Sequence, residues 1–284
     1  MSRSRQDRRT GWLLAASGML LVSTDAVFVR AAGTGAVELA WLVALFCLPL
    51  CLWLNWRFEV LRPLQALRAH PVVLTVLALL VVLTQLCFFA AVEHTQIANV
   101  VAIVAAGPLF VALGAGVFLG ERTSPRVWAA IAISGLGIAL IVAPSLGSAH
   151  MVGDLLALVT IIGFSATLLL LRSYPELSRF LVFSASAALL LVLGLPWVEP
   201  LEQPLSAWLC AAAMGLVFNT GGRVLYANAP RFAPSSEVAL FNPVETVAAT
   251  LWGVLFFAEV PSLQVFIGAV VVLLGLVLGT LRRP

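Results

Sequence analysis

The chain has 284 residues, 62% hydrophobic and 10% charged, with a mean hydropathy of +1.07 and a formal net charge of +3. Soluble domains carry about 25% charged residues, so this composition excludes a water-soluble globule and predicts an all-α integral membrane protein. The pI near 8.9 comes from arginine alone, because all sixteen basic residues are Arg, and their placement excludes nucleic acid as the partner.

Ten apolar runs follow in order: 12–31, 36–56, 71–92, 96–119, 126–144, 153–171, 179–197, 205–228, 235–257 and 263–281. A helix of about 20 residues rising roughly 1.5 Å per residue crosses about 30 Å of hydrocarbon, so each run reads as a transmembrane helix. The first run follows a basic tail but is too long for a secretory core and has no small-residue cleavage site close behind, so it is expected to remain. The connections are short. The longest, 57–70, carries Arg57, Arg62 and Arg68, whereas the turn around Pro196, Pro200 and Pro204 carries Glu199 and Glu202 and no Arg.

Ten spans that start inside put both termini and every even-to-odd loop in the cytoplasm. Fourteen of the sixteen arginines fall there or at the adjoining span edges; Arg30 lies on the other side and Arg223 within a span. That bias is the positive-inside signature of a bacterial inner-membrane protein, its arginines facing anionic lipid.

An offset of 138 aligns residues 88–142 with 226–280 without a gap, pairing Glu121 with Glu259, Ser124 with Ser262 and Gly137 with Gly275. A weaker match at an offset of 142 pairs Arg30 with Arg172. The unit is five spans, and an odd number places equivalent residues on opposite sides of the membrane. Residues 1–144 and 145–284 therefore read as two inverted five-helix repeats, the plan of secondary transporters whose sites lie near the midplane.

The segments AVEHTQIANVVAIVAAGPLFVALGAGVFLGERTSP and VETVAATLWGVLFFAEVPS resemble the two repeats of EamA-type transporters of the drug/metabolite transporter superfamily. The resemblance covers nearly the whole chain and is clearest in spans three to five and eight to ten. It implies ten helices, cytoplasmic ends, and a central cavity lined mainly by helices 1, 3, 4, 6, 8 and 9. Two features depart from that pattern. The Glu-Pro common in the ninth helix is Glu245–Thr246 here, with Pro243 ahead of the acid, and Leu42, Val43 and Ala44 stand where the second helix commonly has an arginine.

Polar groups inside the spans are the candidate site. In span nine Asn242, Pro243 and Glu245 sit near the middle; Pro243 is expected to free the Ala239 carbonyl, and a carboxylate at that depth costs about 3 kcal/mol unless it faces protein or water. Asp25 shares a stripe of span one with Ser17, Leu21, Thr24 and Phe28, and is read as a cation or proton site against the plain alternative of a packing hydrogen bond. Asn219, Arg223 and Tyr226 share a face of span eight; Arg223 binds an anionic group or pairs with Glu245, unless it snorkels to the headgroups. Asn99 lines up with Ile103 and Gly107 in span four, where Pro108 frees the Val104 carbonyl. Gln85 beside Phe88 and Phe89 in span three suits either a small organic molecule or an interhelical hydrogen bond.

Other features read as structural. Ser124 and Ser262 are helix caps, Glu121 and Glu259 are loop-edge residues, and Glu93 and His94 form a solvated edge. Ala112, Gly116 and Gly120 favour close packing, and Cys47, Cys51, Cys87 and Cys210 are small core hydrophobes with no metal role. No H-E-x-x-H, G-x-S-x-G or P-loop motif occurs, so neither an enzyme nor a nucleotide-driven pump is expected. The expected function is a cofactor-free secondary transporter that moves a small organic solute, an amino acid or similar metabolite, outward by alternating access. Coupled protons are an expected partner, and a homodimer is an open assembly. The alternatives are a carrier of apolar cations or nucleobase-like compounds, and an intramembrane hydrolase using Asp25 and Glu245 as an acid pair.

Overall fold

A computed structural model describes residues 5–58, 63–118, 125–174, 176–229, 232–233, 238 and 241–280. The described chain is helical: α1 (Arg5–Val22), α2 (Asp25–Ala31), α3 (Ala36–Phe58), α4 (Pro63–Ala69), α5 (Pro71–His94), α6 (Ile97–Val104), α7 (Gly107–Phe118), α8 (Pro125–Val142), α9 (Met151–Ser173), α10 (Arg179–Gly194), α11 (Leu205–Ala212), α12 (Asn219–Asn228), α13 (Asn242–Phe257) and α14 (Leu263–Thr280). Among the described residues, seven helical stretches are long and apolar enough to cross a membrane, and three shorter apolar helices accompany them. The chain is an integral membrane protein of the all-α class.

The spans that carry polar groups are interrupted, and the interruptions place those groups. Span one turns at Ser23–Thr24, just before Asp25. No glycine or proline stands there; instead the Ser23 and Thr24 hydroxyls donate back to the Leu20 and Leu21 carbonyls at 2.6 and 2.7 Å, competing with the helix ladder. Span four breaks at Ala105–Ala106, where Pro108 can offer no N–H to the Val104 carbonyl four residues back, and the Gly107 carbonyl at the restart accepts from Ser165 Oγ at 3.4 Å. Span eight widens to a π-helix over Ala213–Phe218, where the Thr220 hydroxyl reaches the Gly215 carbonyl five residues back at 2.7 Å. In span nine the described helix starts at Asn242, so Pro243 occupies its first turn. Ala239, whose carbonyl Pro243 is expected to free, lies outside the described residues; at a helix start proline lacks only an N–H that would have no partner anyway, and Glu245 falls in the first turn, where the helix dipole favours a carboxylate.

Packing follows the internal repeat. Helices α8 and α14 are equivalent at the offset of 138 and lie against each other through small residues. A Cβ added to Gly137 would stand 2.7 Å from the Gly268 carbonyl, and one added to Gly275 would stand 2.9 Å from the Ala130 carbonyl. The same offset relates Ala130 to Gly268. Residue i thus meets the mate of j while j meets the mate of i, which is what a two-fold relation between the halves produces. The Ser134 hydroxyl donates to the Val272 carbonyl, its own repeat mate, at 3.2 Å. A second symmetric contact joins α9 to the α5 end and α1 to the α12 end: a Cβ on Gly153 would meet Thr95, and one on Gly11 would meet Ala233, the residue 138 after Thr95. The start of α3 lies at the end of α10, with Trp41 Nε1 donating to the Leu191 carbonyl at 3.1 Å, while at the other end Asn55 donates to Ser178 Oγ at 3.3 Å. Gly137→Ala would force two backbones apart, at a cost of about 1–3 kcal/mol.

Candidate functional site

Two polar centres lie within this apolar frame. The central one gathers where three interrupted spans restart. Asp25, 5% exposed, begins α2, and its Oδ2 accepts a hydrogen bond from Asn219 Nδ2 at the start of α12. Asn219 turns its amide oxygen to Arg223, whose Nε donates to it at 2.8 Å. The Arg223 guanidinium lies 5.3 Å from the ring centroid of Phe183 on α10, in cation–π range. Asp25 is within electrostatic reach of Arg223 and Glu245, and Glu245 within reach of Arg223. Arg223 nevertheless has no carboxylate at ion-pair distance among the described residues. The other oxygen of Asp25, Oδ1, is buried and accepts no hydrogen bond from the described residues. A buried acceptor left open costs about 1–3 kcal/mol, more for a charged one, so the fold carries an unfilled demand for a donor here. Trp252 Nε1, on α13, donates to Ser23 Oγ at 3.0 Å and ties that helix to the turn before Asp25. Phe28 and Phe218 pack with centroids 4.9 Å apart beside the centre.

The second centre lies at the Arg30 end of the bundle, where α2, α5 and α13 finish and α6 and α9 begin. Arg30 pairs with Glu259 Oε1 and donates through its other terminal nitrogen to the backbone carbonyls of Val92 and, at 2.8 Å, Thr95. Glu259 Oε2 accepts the Ile97 backbone N–H at 2.9 Å, and the Arg30 guanidinium sits 5.9 Å from the Phe257 ring centroid. Thr95 extends the network inward: its hydroxyl donates to Asp154 Oδ1 at 2.9 Å, and Asn99 Nδ2 donates to the same oxygen at 3.2 Å. Asp154 is fully buried, and Thr95 and Asn99 are nearly so.

The expected site residues divide between these places. Asp25, Asn219 and Arg223 form one hydrogen-bonded chain with Glu245 beside it. Asn99 belongs to the Arg30 end instead, because the break after Val104 and the bond to Asp154 turn α6 toward α9. Tyr226, like Leu14 and Phe241, packs against a small apolar cluster of Ala15, Ala229, Ala233 and Val238. Gln85 is half-buried, and Phe88 packs against the main core beside Phe89, ring centroids 6.2 Å apart; among the described residues no hydrogen bond or ring contact ties either to Asp25. The Asn242 side chain lies outside the described residues, as do Glu121 and Ser124. Ser262 caps α14, its hydroxyl accepting from the Val265 N–H at 3.3 Å. Sequence reasoning missed Asp154, an acid one residue inside an apolar run, and read Glu259 only as a loop edge. The repeat held the signal for the latter, since it matched charged residues at equivalent span ends.

Known proteins match this build. The sequence matches the EamA-like transporter family twice, over residues 9–143 and 151–281. Two interrupted, inversely packed halves with an ionisable centre between them define an integral membrane transporter of the drug/metabolite type. The chain belongs to the EamA-like transporter family. It is 28% identical over 193 residues to the pseudopaline exporter of Pseudomonas aeruginosa, covering 66% of this chain and 68% of that one. It is 27% identical over 190 residues to a riboflavin transporter of Rhizobium johnstonii, covering 65% and 62% respectively. An uncharacterized transporter of Archaeoglobus fulgidus is 23% identical over 92% of both chains. One solved crystal structure superposes with a TM-score of 0.67 over 98% of both chains at 20% identity, a likeness of fold.

Proposed function

We propose that this protein is a secondary carrier that exports a small zwitterionic metabolite across a bacterial inner membrane by alternating access between residues 1–144 and 145–284, and that it performs no chemistry on its substrate. The observation that carries the reading is Asp25 Oδ1, a buried carboxylate oxygen with no hydrogen bond among the described residues, in one hydrogen-bonded chain with an arginine that has no described carboxylate at ion-pair distance. A substrate ammonium completes the first and a substrate carboxylate the second, so a zwitterion satisfies both at once. The name of the Pseudomonas relative supports export. The arginine bias supports ten crossings with cytoplasmic termini, which puts Arg30 and Glu259 on the outer side. Their contact joins the two repeats and must part whenever substrate leaves there.

Glu245 is the group proposed to carry a coupling proton, since it stands beside Arg223 without pairing to it. Protein reconstituted in liposomes and given a panel of labelled amino acids should accumulate at least one of them under an imposed pH gradient. Glu245→Gln should abolish accumulation while substrate exchange persists. Accumulation that survives in Glu245→Gln moves the proton to another residue, and transport of no zwitterion by the wild type sinks the reading.

A carrier of nucleobase-like compounds is the second reading, favoured by the riboflavin transporter relative and by the Phe28–Phe218 pair beside the centre. Flavins and nucleobases in the same panel separate the two.

A further inference from the structure

Arginine 179 opens α10, one helical turn before Phe183, so the two side chains share a face of that helix. Phe183 is the ring that carries the Arg223 guanidinium at 5.3 Å. Arg179 accordingly stands within electrostatic reach of Arg223, with Tyr226 also near it. Its side chain is exposed, and neither guanidinium has a carboxylate at ion-pair distance among the described residues. The acids of the central site, Asp25 and Glu245, act on Arg223 and are not among the charges that act on Arg179. Two like charges within electrostatic reach, neither held in an ion pair among the described residues, repel, and an anion between or beside them relieves the repulsion. The charges therefore fall in a sequence: carboxylates next to the turn before α2, then Arg223, then Arg179 about 6 Å further along α10 from the Phe183 turn.

We propose that Arg179 is a second anion-binding residue of the carrier, so that the preferred substrates are amino acids bearing a further carboxylate beyond the α-carboxylate. This rests on the zwitterion reading above and sharpens it. The ammonium goes to Asp25, the α-carboxylate to Arg223, and the distal acid to Arg179. A guanidinium suits the task because its planar fork grips a carboxylate by two parallel bonds.

The test uses L-glutamate and L-glutamine, which differ in the distal group and little in size. Binding to the purified protein should favour glutamate by at least tenfold. In Arg179→Gln the ratio of the two affinities should fall to near one, and Arg179→Lys, which keeps the charge and the membrane orientation, should retain part of the preference. Equal binding of both probes by the wild type overturns the proposal and leaves the zwitterion reading standing. Binding of neither overturns both. If Arg179 instead serves a lipid phosphate, Arg179→Gln will reduce the phosphatidylglycerol retained on the purified protein while the glutamate preference persists, and that result also overturns the assignment.

Discussion

The two polar centres are built from the same materials, a carboxylate, an amide and an arginine, yet they are finished differently. At the Arg30 end the charges are matched to one another: Arg30 has a carboxylate and two carbonyls, Glu259 has an arginine and a backbone N–H, and Asp154 has a hydroxyl and an amide. The atoms left there without a hydrogen bond among the described residues, Arg30 Nε and the Asn99 amide oxygen, belong to groups already held by other bonds. In the centre, among the described residues, Asp25 keeps one oxygen without a hydrogen bond and Arg223 has acids within electrostatic reach but none at ion-pair distance. Buried polar networks that are closed within the protein stabilise one arrangement, whereas an open one holds free energy that a ligand can release. The contrast separates a joint from a binding site more sharply than residue type does, since Asn99 and Asn219 are chemically identical and fall on opposite sides of it.

That distinction is open to attack first at Asp154. Asp154→Ala strands the Thr95 hydroxyl and the Asn99 amide in an apolar interior, and should lower stability by about 3 kcal/mol. Thermal unfolding in detergent measures it, with Asp154→Asn as the milder control that keeps one acceptor. A thermal midpoint unchanged in Asp154→Ala would mean the Arg30 end is no more finished than the centre.

A smaller effect tests the ion pair itself. Arg30 and Glu259 retain 28% and 13% side-chain exposure, so their coupling is partly screened and should amount to about 1–2 kcal/mol. A double-mutant cycle with Arg30→Gln and Glu259→Gln isolates it. Strictly additive single effects would show that the contact is not a joint between the repeats.

Much of this architecture is legible in the residues, and the part that is not has physical causes. Apolar length and the repeat rest on local composition, which the bilayer enforces strongly, so the all-α membrane class follows from it. Asp25, Asn219, Arg223 and Glu245 stand out because charge at depth is rare. The turn at Ser23–Thr24 has no proline or glycine to announce it, and the π-segment ahead of Asn219 depends on a threonine hydroxyl reaching five residues back, which periodicity does not reveal. Pro243 is ambiguous for a related reason: proline breaks a helix in its interior and starts one at its first turn, and only the helix boundary tells which. The Arg30–Glu259 contact joins residues 229 apart, and no spacing rule connects them.

The smallest expected change in stability falls at Asp25, and it is the most telling. Asp25→Asn keeps an oxygen to accept from Asn219 and replaces the open Oδ1 with an amide nitrogen. The lost interaction with Arg223 is set against removal of a poorly solvated charge from the interior, so the thermal midpoint should move by less than about 1 kcal/mol in either direction. Binding should respond quite differently. An ammonium brought to the centre would meet a donor where an acceptor had been, so affinity for zwitterionic ligands should fall at least tenfold, and accumulation in liposomes should disappear. The pairing of near-native stability with lost binding is the mark of a residue held open for a ligand. If Asp25→Asn instead unfolds the protein as readily as Asp154→Ala, the open oxygen is part of the joint after all, and the two centres do not differ in kind.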